Sequence, residues 1–234
     1  MDDPTALPAA LLPPDEAARQ AALARYQLLD ARSEALLDEV VALAARLFGV
    51  SNAMLSIIGD GTVLVKAPYN LPVVVERIPR RNSLCAATIL GTETAVYENL
   101  AVASPPGIDI GLVQQLGLNF YAGHNLRTPD GFAIGTLCLY DGAPRTFSAP
   151  ERTLLAVLAD VVMRLLELRR LLGAQPEDAA GPWEPVYRAI SKQLGRLTAL
   201  AHAANGQVTA PRTAEARAIA TALDGLVAAA RQQA

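Results

Sequence analysis

Apolar residues along this chain switch between two spacings, and the switches mark the elements. Leu36, Leu37, Val40, Val41, Leu43, Leu47 and Phe48 recur at steps of three and four, which places them on one helical face. That helix is expected to begin near Ser33. It should stop at Gly49, which takes the left-handed conformation of a helix end without a Cβ clash. A shorter helix should precede it, with Asp15 as its cap, running to about Leu29. From residue 53 the pattern becomes short, apolar and β-branched. Residues 53–58 and 62–67 flank Gly59-Asp60-Gly61, so a hairpin is expected there. Residues 68–82, with Pro68, Pro72 and Pro79, read as a long, partly irregular loop. Residues 83–90 read as a short helix capped by Ser83, 94–98 as a strand and 109–116 as another short helix.

The second hairpin has the stronger local signal. Residues 119–127 and 132–140 flank Thr128-Pro129-Asp130-Gly131. There Pro presets φ, Asp suits the next turn position and Gly takes the left-handed one. Ser148-Ala149-Pro150-Glu151 then has the form of a capping box with Pro in the first helical turn. In the helix it opens, Leu154, Leu158, Val161, Leu165, Leu168 and Leu172 alternate steps of four and three. Such a 3.5-residue stripe suits pairing along another helix. Leu155, Val162 and Leu166 form a second stripe beside it. Gly173, Pro176, Gly181 and Pro182 mark a linker over 173–183. Two Ala-rich helices should follow at about 184–204 and 213–232, with apolar faces too small to stand alone.

Composition narrows the class. With 52% hydrophobic and 18% charged residues the chain is too apolar for general disorder. A net charge of −3 without a basic run argues against a nucleic-acid partner. Two Cys exclude a disulfide scaffold and fit a reducing, cytoplasmic setting. Met1-Asp2-Asp3 has no basic lead-in to an apolar segment, so no signal peptide is expected. The longest apolar stretch, 154–166, is cut by Asp160 and Arg164, so no membrane span is expected. The organisation expected is a disordered segment at 1–14, an α+β domain at 15–172, the linker, and a helical hairpin tail at 184–234.

Several segments, in order, resemble the GAF family of small-molecule sensor domains of bacterial signalling proteins. They are Leu29-Asp30, Leu37-Asp38, Ala44-Ala45-Arg46-Leu47-Phe48, Arg81-Asn82-Ser83-Leu84-Cys85-Ala86, Phe120-Tyr121-Ala122-Gly123, Leu126-Arg127-Thr128-Pro129-Asp130-Gly131, Gly135-Thr136-Leu137-Cys138 and Pro144-Arg145, together with the long helix ending Leu166-Glu167-Leu168-Arg169-Arg170. The resemblance covers roughly residues 15–172. It implies a central antiparallel sheet of five or six strands with flanking helices, a ligand pocket under short helices and loops, and a homodimer formed through the terminal helices. The chain departs from it at Ala87, where many GAF domains have His. It departs also at 99–103, which lack an acidic-basic pair, and at His124-Asn125, where Ala-Pro is common. No Cys-His dipeptide for bilin attachment is present.

Candidate chemistry follows from residue types. Cys85 near a helix start and Cys138 in a strand could form a redox pair or serve as small buried hydrophobes. A redox pair would resemble the free-methionine sulfoxide reductases, which are GAF enzymes. Ser56, Ser83, Thr88 and Thr136 are polar residues in apolar settings, and their hydroxyls need partners from backbone or ligand. Tyr121, Gly123 and Asn125 share one strand face, while His124 lies on the other with Phe120, Ala122 and Leu126. Gly123 and Gly135 leave room for a ligand or for close packing. Arg77, Arg80 and Arg81 read as a solvated loop or a lure for an anion. No metal-ligand spacing, catalytic triad, phosphate loop or dinucleotide fingerprint occurs, and no cofactor is assigned. The expectation is therefore a non-catalytic regulatory module. It would bind a small ligand through Ser56, Ser83, Cys85, Thr88, Tyr121, Gly123, His124, Asn125, Thr136 and Cys138, and reach a protein partner through its C-terminal helices. A thiol-dependent redox enzyme and a ligand-free dimeric scaffold are the alternatives.

Overall fold

The computed structural model describes residues 11–29, 34–172, 184–204 and 208–232. The expected linker at 173–183, the Ser33 helix start, Asp30 and residues 1–10 lie outside them. Helix α1 (Glu16–Ala24) is followed by α2 (Ala35–Phe48), β1 (Asn52–Ile58), β2 (Thr62–Tyr69), β3 (Arg77–Pro79), α3 (Leu84–Thr88), β4 (Ala95–Tyr97), α4 (Gly111–Gln115), β5 (Phe120–Arg127) and β6 (Ala133–Asp141). Three long helices end the chain: α5 (Ala149–Leu172), α6 (Glu184–Ala204) and α7 (Ala210–Arg231).

All strand pairs are antiparallel, and the six strands lie in the order β3-β2-β1-β6-β5-β4. The chain thus forms an α+β fold with a central antiparallel sheet, flanking helices and a helical C-terminal extension. Each hairpin joins neighbours in this order, and β1 pairs with β6 to join the two halves. The strands of the two hairpins match the expected ranges closely. At the second turn the Gly131 amide donates to Thr128 O at 2.8 Å, and Gly131 has φ +94°, which only Gly takes without strain.

Several local expectations need correction. Helix α1 stops at Ala24 rather than near Leu29, because the chain turns through Gln27 at φ +51°. Neither Asp15 nor Ser83 caps its helix with the side chain. The partly irregular loop at 68–82 contains β3 and a 3₁₀ turn at Arg80–Asn82. The frayed segment cannot extend to residue 14, since Leu11 is buried in the core and its carbonyl accepts from Arg80 Nη2. Elsewhere the expected punctuation holds. Gly49 ends α2 at φ +61°. Ser148 and Glu151 form the capping box, with the Ser148 amide donating to Glu151 Oε2 at 2.7 Å and the Glu151 amide donating to Ser148 Oγ at 3.4 Å.

Period-two alternation gives the sheet two different faces. Ala53, Leu55, Ile57, Phe120, Ala122, Leu126, Leu137 and Leu139 face the long helices in one large apolar cluster. Helices α2 and α5 pack on that face, and α6 and α7 form a further layer, α6 against α2 and α7 against α5. Met54, Ile58, Tyr121, Cys138 and Tyr140 face the opposite way, toward α3, α4 and the connecting loops.

The 3.5-residue stripe on α5 therefore has a different partner from the one expected. Leu154, Leu158, Val161, Leu165, Leu168 and Leu172 are all buried within the single chain, because the sheet, α2 and α7 surround α5. A second copy is not needed to cover them, and the stripe gives no support to a homodimer.

Candidate functional site

Register decides which candidate residues meet. On the loop-side face Ser56 stands opposite Thr136, which stands opposite Asn125. One step along, Met54, Cys138 and Gly123 form the next row, and Tyr140, Tyr121 and Tyr97 the row after it. Short helix α3 lies over these rows and brings Cys85 and Thr88 down onto them. A polar cluster results inside an apolar layer.

The cluster satisfies most of itself. Ser56 Oγ and Thr136 Oγ1 are 2.7 Å apart, both residues fully buried. Thr88 Oγ1 lies 2.6 Å from Tyr121 Oη and donates to Leu84 O at 3.0 Å. Cys85 Sγ and Cys138 Sγ are 3.5 Å apart, and Cys138 Sγ donates to Met54 O at 3.3 Å. The hydroxyls of Tyr121 and Tyr140 each approach Cys85 Sγ to 3.8 Å. Tyr121 and Tyr140 also pack edge to face, with centroids 5.1 Å apart. Asn125 Nδ2 donates to Gly91 O, and Asn125 Oδ1 is buried without a hydrogen-bond partner.

The two thiols differ electrostatically. Burial pushes the Cys85 thiol up, but the hydrogen-bonding side chains around it, Cys138 first and then Ser56, Thr136 and Tyr121, outweigh burial and bring its pKa down to about 6. Cys138 is raised well above the ordinary thiol range, by burial first and then by its hydrogen bond to Cys85 and the charge there. The first proton is therefore lost at Cys85, and the resulting charge keeps Cys138 protonated.

Other candidates go elsewhere. His124 faces the long helices, with Nδ1 2.9 Å from Thr94 Oγ1, and burial lowers its pKa. Gly123 makes room for a ring rather than a ligand: a Cβ there would lie 2.2 Å from Tyr121 Oη. A Cβ at Gly135 would lie 2.3 Å from Ser56 O, so that glycine permits close strand approach. Arg80 is no solvated loop residue. It is fully buried and pairs with Glu16 at 2.6 Å.

The hollow above the sheet is small. A cavity of about 50 Å³ lies between β1, β2, α3 and α4. Met54, Val65, Leu84, Val113, Leu118 and Tyr140 are among its walls, and no charged side chain lines it. Of the ten candidate residues only Ser83 lines it. Ser56, Cys85, Thr88, Tyr121, Asn125, Thr136 and Cys138 are instead buried beside it without lining it. A larger cavity of about 320 Å³ lies between α5, α7 and the turn joining β5 to β6. Arg127, Arg164 and Arg231 share that cavity with Asp160, Glu167 and Asp224, and it contains none of the candidates. Sequence reasoning missed the cavity walls because nearly all of them are ordinary apolar residues. Met54 and Tyr140 alone had a signal, since they alternate with Ser56 and Cys138 on the same strand faces. No described helix is long and apolar enough to cross a membrane.

Known proteins place this architecture. A cyclic di-GMP phosphodiesterase of Pseudomonas aeruginosa is 34% identical over 135 residues, covering 57% of this chain and 22% of that protein. The chain thus spans about a fifth of the length of that curated relative. The GAF domain of an Acinetobacter phosphoenolpyruvate-protein phosphotransferase has the same fold, at TM-score 0.50 and 17% identity, over 68% of this chain and 98% of that one. So does a free methionine-R-sulfoxide reductase of Neisseria meningitidis solved with its substrate, at TM-score 0.50 and 17% identity, over 66% of this chain and 87% of that one. The family model of the GAF domain matches residues 32–166, more than half the chain, and with the fold just described it makes this protein a member of the GAF domain family.

Proposed function

We propose that this chain is a regulatory module without turnover of its own, and that its input is a small uncharged molecule entering between the sheet and helices α3 and α4. The observation that carries this reading is the cavity of about 50 Å³, apolar-walled, against a buried polar cluster. Ligand pockets for drug-sized molecules run to roughly 300–1,000 Å³. A nucleotide would need the whole layer of Tyr121, Tyr140 and α3 to move, and no cation in the walls would meet its phosphates. The route outward is β6. Cys138 and Tyr140 face the input side, while Leu137 and Leu139 press toward the long helices from the same strand. Helix α5 passes the change to α7, whose outward surface is the proposed contact for a partner protein. The stretch shared with the phosphodiesterase supports a place in cyclic di-GMP signalling, with the output on that partner. Two unlinked thiols suit the cytoplasm. Dimerisation through the terminal helices would need a surface other than the α5 stripe.

Amide hydrogen exchange of the full chain tests the input. Small uncharged molecules of graded size should alter exchange in α3, β6 and α5, and Val113→Phe, which fills the cavity, should abolish that response. A response to cyclic nucleotides at the same concentration, or an unchanged response in V113F, overturns the reading. The sulfur spacing of 3.5 Å favours a second reading, a thiol-dependent reductase. It is the weaker one, because both sulfurs are fully buried and the cavity cannot admit an amino-acid substrate.

A further inference from the structure

The geometry points to Cys85 and Cys138 as a reversible two-electron switch that hydrogen peroxide, or a peroxide of similar size, closes to a disulfide. The inference rests on the regulatory reading above and names the chemistry of its input. Three observations meet here. The sulfurs are 3.5 Å apart with no side chain between them, and each is held by groups that fix its position: Tyr121 and Tyr140 at Cys85, and the Met54 carbonyl at Cys138. The two sulfurs sit on separate elements, α3 and β6, so a bond between them changes a packing distance rather than a local loop. The cavity shares Met54 and Tyr140 with the thiol pair and is bounded by Ser83 and Leu84, next to Cys85 in the chain. A hollow of about 50 Å³ is far below the roughly 300–1,000 Å³ of drug-sized ligand pockets and suits an oxidant as small as hydrogen peroxide.

Cys85, ionised first, attacks one peroxide oxygen. The O–O bond breaks, Cys85 becomes a sulfenic acid, and the hydroxide released takes up the proton Cys85 gave, leaving as water. The Cys138 sulfur then attacks the sulfenic sulfur. The S–O bond breaks, and the departing hydroxyl takes the Cys138 proton to form a second water. The two sulfurs together lose two electrons and the peroxide gains them. A dithiol reductant reverses the result. Closing the sulfurs from 3.5 Å to the about 2.0 Å of a disulfide draws α3 and β6 together. Strand β6 carries that movement to its opposite face, where Leu137 and Leu139 belong to the cluster that includes α5.

The test uses the full reduced chain. It is exposed to hydrogen peroxide, unfolded in the presence of an alkylating agent and mapped by mass spectrometry without reduction. A Cys85–Cys138 crosslink within one chain is expected, reversed by dithiothreitol and formed at least about tenfold faster in the folded chain than in the urea-unfolded one. Cys138→Ala should stop the reaction at a Cys85 sulfenic acid that dimedone traps. Thiols that remain alkylatable in a folded, peroxide-treated chain overturn the inference, as does oxidation no faster in the folded than in the unfolded chain. Wild-type protein suffices for both measurements, so a failure of C138A to fold leaves them intact. The two readings separate through other small molecules. Inert thiols with an intact exchange response of α3 and β6 to uncharged ligands sink the switch alone. Rapid crosslinking unchanged by Val113→Phe sinks the cavity as the input route and leaves the switch standing.

Discussion

Besides the buried Lys66, which pairs with Glu34, the buried charges gather around two carboxylates. Glu16 holds both Arg19 and Arg80, the two largest fully buried side chains, while Arg19 also donates to Ile58 O and Ala133 O. That clamp ties α1 to the turn ends of both hairpins. Glu167 in α5 takes hydrogen bonds from Tyr26, Arg170 and Arg231, joining the N-terminal segment to α7. Burial alone raises each carboxyl, but hydrogen bonds from these partners outweigh it and hold both pKa values at about 2, against an ordinary 4.5. A carboxylate depressed in the folded state adds stability above its unfolded pKa, and that stability drains away as pH falls through the folded value. Urea midpoints should therefore drop steeply from about pH 4.5 toward pH 2. The double variant Glu16→Gln, Glu167→Gln should be less stable at neutral pH and show a flatter acid limb. An acid limb as steep as wild type would count against both clusters. Gly135→Ala brings a methyl group onto Ser56 O and should cost about 1–3 kcal/mol in chemical denaturation.

Among the elements, α5 is the one on which everything else leans. Of its residues from Leu154 onward only Asp160 and Arg170 are exposed, as for a helix enclosed on all sides. Leu158 and Leu165 sit at 0% and 1% exposure inside the single chain. Leu158→Glu or Leu165→Glu should lower folding stability by more than about 3 kcal/mol, because a charge would be buried without a partner. Calorimetry and circular dichroism would show this directly. A well-folded variant whose only change is a smaller size in solution would restore the stripe as a contact between copies.

At the scale of the whole molecule, α6 and α7 act as a lid on the helical face of the sheet domain. Arg164 pairs with Asp224 and Arg231 with Glu167, and Arg196 joins α6 to Glu215 of α7. A chain ending at Leu172 would expose the apolar faces of α2 and α5, and light scattering should show it associating or aggregating at concentrations where the full chain does not. How much of this was legible beforehand depends on range in sequence. The hairpin turns, the Gly49 stop and the Ser148–Glu151 capping box are settled by neighbours a few residues apart, and so could be read from the residues themselves. The alternation in β5 and β6 also assigned Tyr121, Gly123 and Asn125 to one face and His124 to the other, because the pleat fixes side-chain direction. Other features depend on atoms distant along the chain. Arg80 resembles any exposed loop arginine until Glu16 folds over it. Gly123 reads as space for a ligand until Tyr121 fills that space. An apolar stripe declares that a helix must be covered, but the hydrophobic effect has no direction and does not say by what. Local stereochemistry thus determined the elements and the two faces of the sheet. Only tertiary packing brought two sulfurs to 3.5 Å and laid the tail of the same chain over the helices.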